Sequence, residues 1–526
     1  MAADDYHGEW VMSAILEDRA ERLGDRIAVH TGIGGISYAS LRDQAQRIAG
    51  LLAALGVEPG DRVATMLNAT PDYVSVWFGC AWCGAVEVPV NTEYKGYFLE
   101  QILQQSDSSV LILQGAYVER LRSIATPALR HIIVVGVTPE DPSMEHKSFH
   151  SLAAAADHTP LGRVARQERD LLYVLHTSGT SGPSKGVMHC NRSALWTARV
   201  WKELGGLTAD DVGYSYLPLY HVTARSALVM ACVLAGGATV LRERFSVSEF
   251  WPDIRRHNAT FTMYMGSVIL FLVQQPILAN ERDNPLRVAG GAACPPAVAG
   301  EFERRFDCRL LEVYGMTELG TVSGPRNGAE SRGTMGRPFD HVRIEIHDSD
   351  DTAVAADTVG EIVVRPNEPY AIMQGYWRDP QATVDAWRNL WFHTGDLGKL
   401  TPNGDLVFLD RLKDSIRRRG ENISSFEVER AVQEHPDVEE CAAYPIKSEA
   451  TEEDVMIAVV SRQHKQVDPE QLLDFCERTM PRFAVPRYLR VVGSLPKTPT
   501  GRVQKHLLRE AGVTADAIER QSRRRS

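Results

Sequence analysis

Short apolar runs of strand length, set between helix-patterned segments, constrain this chain more than any other feature. Val63–Leu67, Ile132–Val137 and Leu171–His176 are apolar at almost every position, without the alternation of a half-exposed strand. A strand covered on both faces reads this way, and helical crossovers between parallel neighbours provide that cover. Before the first run, Leu41, Ala45, Ile48, Ala49, Leu52 and Leu55 recur at helical spacing. Ser40 reads as the N-cap of that helix and Gly56 as its end. Pro59-Gly60-Asp61 then turns the chain into Val63–Leu67. The pattern predicts an α/β protein of layered, largely parallel sheets and helices.

Composition narrows the function. Of 526 residues, 44% are hydrophobic and 24% charged, which excludes collagen, coiled-coil and disordered chains. Lys plus Arg total 57 and Asp plus Glu 68, a net charge of −11. A broad electrostatic grip on nucleic acid or an anionic membrane is therefore not expected, although a local site for a small anion is compatible. Cys80 and Cys83 form a C-x-x-C within an apolar helical stretch, and no second such pair exists. They read as core residues in a reducing compartment, not as zinc or redox ligands. The acidic N-terminus, Met-Ala-Ala-Asp-Asp-Tyr-His, lacks a signal-peptide core, so a cytoplasmic location is expected. The longest uncharged stretch, Asn258–Asn280, is continuously apolar only over Val268–Val273. It predicts a buried helix and no membrane span.

The C-terminal part is organised on a smaller scale. The densest basic run follows Asp410 and is followed by a helix pattern at Ser425–Gln433 and strand patterns at Val455–Ser461 and Tyr488–Val492. A boundary near Asp410–Lys413 divides the chain into residues 1–410 and a small α+β domain, 411–526. No Gly/Pro/Ser linker marks it, so a compact hinge is implied.

His176–Gly186 carries the most chemistry. Gly179, Gly182 and Gly186 let a backbone approach polyphosphate closely, while Thr177, Ser178, Thr180, Ser181, Ser184 and Lys185 supply donors. The segment follows a strand pattern and precedes a helix pattern, Ala194–Leu204. The Walker A spacing is absent. Taken alone, the segment reads equally well as a flexible surface loop.

Thr177–Gly186 resembles the glycine-rich signature of the adenylate-forming superfamily, with Ser184 where proline is common. Further motifs similar to the family's follow in order: Leu217–His221, Gly290–Ala293, Tyr314–Glu318, Gly333–Pro338, Trp391–Asp396, Asp410-Arg411, Arg419–Ser424 and Leu495–Gly501. The local text looks closest to the crotonobetaine/carnitine-CoA ligase-like and short- to medium-chain acyl-CoA branch. The resemblance implies a large adenylating domain with a small mobile C-terminal one. It also implies a two-step reaction, in which a carboxylate and ATP give acyl-AMP and pyrophosphate, and a thiol then displaces AMP.

The resemblance also implies residue roles. Thr177, Ser178, Gly179, Thr180, Ser181, Gly182 and Lys185 would hold the β- and γ-phosphates. Tyr314, with Gly315 and Met316, would pack on adenine, and Gly291, Ala292 and Ala293 would face its other side. Thr317 would bond the α-phosphate and Glu318 would ligate Mg2+ accompanying ATP. Asp396 would accept the ribose hydroxyls beside Arg411. His221 would orient the carboxylate, in an acid pocket with Tyr220, Tyr264, Gly266 and Gly290. Lys413 would be the hinge. In a second pose Gly420, Glu421 and Asn422 would face coenzyme A, with Arg417–Arg419 near its phosphates. ATP, a small or medium acid and CoA are the implied partners, with no nucleic acid. The oligomeric state, a homodimer included, stays open.

One position departs from the family. A lysine usually follows Thr-Gly in the last motif, and here it is Arg502. Arg502 serves in its place, Lys497 or Lys505 reaches in, or the first half-reaction is slow or specialised. Amino-acid-activating relatives carry an Asp near Phe261–Ser267, which has no acid here. Met263, Tyr264 and Met265 suggest a modest pocket, and Arg225 reads either as a partner for a second anionic group or as a surface residue. An acid–CoA ligase, an adenylating enzyme with another acceptor and a catalytically weak nucleotide-binding homologue are the three functions considered.

Overall fold

A computed structural model describes residues 6, 8–32, 34–137, 147–177, 184–292, 294, 296–325, 333–411, 415–418, 421–448, 453–462, 465–496 and 503–520. The apolar runs become strands of a seven-stranded sheet. Its order is Ser148–Ser151, His131–Val135, Val110–Gln114, Arg62–Met66, Val86–Pro89, Leu171–Thr177, Lys185–Cys190. All neighbours are parallel except the last pair. A second seven-stranded sheet runs Arg309–Glu312, Val288–Ala292, Phe261–Met265, Val212–Ser215, Ala238–Leu241, Ile27–Thr31, Gly34–Ser37. Again only the last pair is antiparallel.

The continuous apolar runs follow from this layering. Leu111 and Ile112 are consecutive, so they point to opposite faces of the first sheet, and both are fully buried. Ile112 joins a core shared with the helices Tyr38–Ala54 and Pro71–Cys83 and with the second sheet. Leu111 joins another core, containing Phe98 and Ile102 of helix Gly96–Ser106, which continues into Val428, Val432 and Leu472 of the C-terminal part. Cys80 and Cys83 are buried in helix Pro71–Cys83. Burial pushes the Cys83 thiol up to about 11 and Cys80 well above its ordinary value.

Two smaller sheets complete the large domain: Tyr314–Met316, Gly320–Gly324, Arg337–Pro338, and Val342–His347, Gly360–Pro366, Phe392–Leu400, Leu406–Arg411. The small domain has a two-stranded pair, Ser415–Arg418 and Glu421–Ser424, and a four-stranded sheet, Val438–Lys447, Glu453–Ser461, Tyr488–Val491, Ile518–Glu519. Helices Ser425–Gln433, Pro469–Thr479 and Lys505–Ala511 accompany them. Arg418, expected near a cofactor, is buried instead. It pairs with Asp454 at 2.9 Å and donates to the carbonyls of Phe483 and Val485, so it ties this domain together.

Three local expectations change. The first long helix starts at Tyr38, because Ser37 Oγ accepts from the Ser40 amide at 3.2 Å. Asn258–Asn280 is not one helix. Phe261–Met265 is a strand paired on both sides, and Gly266–Val273 is the helix after it. The helix expected over Ala194–Leu204 is present as Asn191–Gly205, but a strand not read from the sequence, Lys185–Cys190, first folds back on Leu171–Thr177. Among the described residues no helix is long and apolar enough to cross a membrane.

The cap assignment is tested by thermal melts. Ser37→Ala should cost about 1 kcal/mol and Ser40→Ala less; the reverse order would refute the helix start.

Candidate active site

The carboxyl ends of both large sheets open on one cavity of about 950 Å³. Thr177, Met265 and Ala292 each end a parallel strand and line it, as expected for ligand crevices in open α/β sheets. The turn after Tyr314–Met316 adds Thr317 and Glu318, and the small domain adds Arg417 and Glu421. Thr177, Lys185, Tyr220, His221, Tyr264, Gly291, Ala292, Gly315, Met316, Thr317, Glu318 and Glu421 thus converge on one cavity, as read from the sequence.

Lys185 stands opposite Thr177 in the antiparallel ladder, and the Ser184 hydroxyl donates to the Thr177 carbonyl at 2.7 Å. The Lys185 ammonium lies 5.0 Å from the centre of the Tyr376 ring, and Tyr376 donates to Glu318 Oε1 at 3.0 Å. Tyr376 therefore links a cation and a carboxylate on the cavity wall; no sequence motif had marked it. His189 Nε2 donates to the Thr317 carbonyl at 2.6 Å, which fixes that turn. Burial holds His189 down to about 4, so it is neutral at pH 7. His176, also held down to about 4 by burial, faces the cavity. Its ring nitrogens have no hydrogen-bond partner among the described residues.

Tyr314 and Asp396 are both buried, and the Tyr314 hydroxyl donates to Asp396 Oδ2 at 2.8 Å. Arg411 is the ladder partner of Asp396. The glycines of Gly290-Gly291 make room for rings. A Cβ on Gly291 would meet the Tyr264 ring at 2.8 Å, and one on Gly290 would meet Trp201 Cζ3 at 2.0 Å. Gly290 is thus covered by Trp201 and does not line the cavity. Gly266 opens a helix and does not line it either.

His221 Nε2 lies 3.2 Å from Glu421 Oε1, and the Tyr220 ring meets the imidazole edge-on at 4.7 Å. The residues after His221 form a π-helix, Thr223–Met230. Arg225 within it is fully buried and is neither a surface residue nor an anion partner in the cavity. Its guanidinium takes both oxygens of buried Glu87, at 2.8 and 3.1 Å, and lies 4.7 Å over the Trp77 ring. Its Nε donates to the Leu219 carbonyl at 2.7 Å and its amide to the His221 carbonyl at 3.2 Å. Burial opposes its charge, but Glu87 and Tyr73 raise its pKa above the ordinary value.

The small domain meets the large one at Ser184. The Ser184 amide donates to Glu427 Oε1 at 3.0 Å, and burial pushes that carboxyl up to about 8 against this hydrogen bond. Lys505, considered as a substitute for the missing lysine, donates to Ser425 and pairs with Glu429, each at 2.7 Å, within its own domain. Ser178, Gly179, Thr180, Ser181, Gly182, Ala293, Lys413, Arg419, Gly420, Lys497 and Arg502 lie outside the described residues, as do the side chains of Arg411 and Asn422.

Comparison with known proteins decides the family. The model of the AMP-binding enzyme matches residues 16–377, and that of the AMP-binding enzyme C-terminal domain matches 427–502. The chain belongs to the AMP-binding enzyme family. Within it, a crotonobetaine/carnitine–CoA ligase of Salmonella paratyphi C is 32% identical over 509 residues, 94% of this chain and 98% of that one. The amide bond synthetase McbA of Marinactinospora thermotolerans superposes with a TM-score of 0.80 at 26% identity, covering 95% of this chain and 99% of that one. The o-succinylbenzoate CoA synthetase MenE of Bacillus subtilis, at 24% identity, shares the fold with a TM-score of 0.82 over 94% of this chain and 98% of that one.

The buried Glu427 carboxyl at the contact with Ser184 yields a pH prediction for this AMP-binding enzyme. Burial pushes it from the ordinary 4.5 up to about 8. Where the contact between the domains provides that burial, forming it takes up a proton between those values, so the contact should weaken as pH rises from about 4.5 to about 8. Fluorophores on the two domains should report a separation that grows across that window in the wild type and not in Glu427→Gln. Identical curves would contradict this.

Proposed function

We propose that the chain is an ATP-dependent acid–CoA ligase. A carboxylate attacks the α-phosphate of ATP, releasing pyrophosphate, and the thiol of CoA then attacks the acyl carbon of the adenylate, releasing AMP. The observation that carries this reading is Glu421, on the small domain's hairpin, 3.2 Å from His221 and in one cavity with Arg417. A thiol approaching beside that hairpin reaches His221, where the acyl group would sit, while Thr177 and Lys185 occupy the phosphate side. Lys185, with the donors of its segment, screens the two anions that the first step brings together.

Glu318 suits a magnesium ion. It is buried at the cavity wall, and a carboxylate oxygen is the hard ligand that Mg2+ takes. Among the described residues no cluster of three metal-ligating side chains is present, which fits an ion held mainly by nucleotide phosphates. Mg2+ bound with ATP would neutralise charge on the departing pyrophosphate. Tyr314 and Asp396 take the adenosine end, Arg411 approaches its ribose, and Lys413 is the pivot between domains 1–410 and 411–526. The location assigned is the cytoplasm.

A second reading, transfer to an amine, is favoured by the likeness to an amide bond synthetase at 26% identity. AMP release across a panel of acids separates the two. The ligase reading expects AMP only with CoA present; AMP with an amine instead would support the second, and none under any condition would refute both. Arg502→Ala should lower pyrophosphate exchange on the order of 100-fold. Unchanged exchange would move the bridging role to another cation.

A further inference from the structure

The residues that line the cavity are of two chemical kinds. Lys185, Glu318, Arg417 and Glu421 bring charge to it. Helix Asn191–Gly205 and the strands Phe261–Met265, Val288–Ala292 and Gly320–Gly324 contribute Thr197, Trp201, Met263, Tyr264, Gly291 and Thr321, none of them charged. We propose that this uncharged group receives the acyl chain, with Trp201 as its floor, and limits the enzyme to short, uncharged acyl groups. This rests on the ligase reading above and names the substrate class of that site.

The indole is held at both edges. Its benzo edge lies on Gly290, where even a Cβ would come within 2.0 Å of Cζ3. Its Nε1 donates to Thr321 Oγ1 at 3.0 Å. The ring therefore bridges strands Val288–Ala292 and Gly320–Gly324, and it is 1% exposed. The helix that carries it is held close as well: a Cβ on Gly320 would meet Thr197 Oγ1 at 2.3 Å. Tyr264, which also lines the cavity, is fixed by its hydrogen bond to Glu312 Oε1 at 3.0 Å, and Glu312 also accepts from the Cys294 amide at 2.9 Å. Between two rings so anchored, a chain extending from a carboxylate at His221 meets the indole face and has no side chain to move aside. A pocket closed by a fixed apolar wall discriminates by size, about tenfold or more for each methylene in excess.

The test is kcat/KM for AMP formation with CoA over straight-chain acids from acetate to dodecanoate. Wild type should peak at a short acid and fall by at least about tenfold soon beyond it. Trp201→Leu and Trp201→Ala should move the peak to longer acids and lower the value for the short one. Trp201→Phe keeps a ring on Gly290 but loses the bond to Thr321; it should move the peak less, and it carries the test if the smaller residues fail to fold. A wild-type preference for long acids, or the same profile in wild type and variants, would overturn the role of Trp201 while leaving the ligase reading intact. No AMP from wild type with any acid would remove both.

Discussion

The buried ion pair between Arg225 and Glu87 sets the geometry on which the rest of the site depends. Taking two ions out of water costs several kcal/mol each, and only near-ideal pairing offsets it. Here the contact is bidentate, Thr65 donates to a Glu87 oxygen at 2.7 Å, and aromatic rings face the guanidinium. Glu87 sits in strand Val86–Pro89, whose continuation brings Asn91 and Tyr94 to the cavity. Arg225 sits in the π-helix after His221; its side chain holds the Leu219 carbonyl and its backbone amide the His221 carbonyl. Through Glu87 and the Leu219 carbonyl, that side chain ties a strand of the first sheet to the segment carrying His221. The π-helix is consistent with this, since such turns concentrate at functional sites.

Positive charge is placed sparingly around this frame. The chain carries −11 overall, yet Lys185 and Arg417 reach the cavity from different domains. Carboxylates in and beside it have defined partners: Glu318 accepts from Tyr376, Glu421 lies against His221, and Glu427, outside the cavity lining, meets the Ser184 amide. The last two contacts join the small domain to the large one, at the cavity wall and beside it.

Much of this was legible in the sequence because it depends on local pattern. Continuous apolar runs marked the doubly covered strands, and the ordered motifs marked the strand ends where Thr177, Ala292 and Thr317 meet. What escaped depends on contacts distant in sequence. Nothing near Arg225 announces Glu87, 138 positions away. Gly290 read as part of the acid pocket and Gly291 as a face of the adenine site, and only the fold shows Trp201 and Tyr264 packed against them. Lys185–Cys190 is a short strand whose Lys-Gly start looks like loop, so the strand between the glycine-rich segment and the expected helix went unread. Tyr376 lay in a stretch without periodicity, and its role depends on Lys185 and Glu318 arriving from elsewhere.

A double-mutant cycle on Arg225 and Glu87, read for both stability and adenylation, tests the positioning of His221 most directly. Arg225→Met alone should cost about 3–5 kcal/mol, because it strands the Glu87 carboxylate in the core. Adding Glu87→Met should restore most of that stability, since a buried pair can be replaced by apolar side chains. Adenylation should stay depressed in the stable double variant, because the Leu219 carbonyl has lost its donor. Full activity in that variant, or stability losses that simply add, would contradict the role given to this pair.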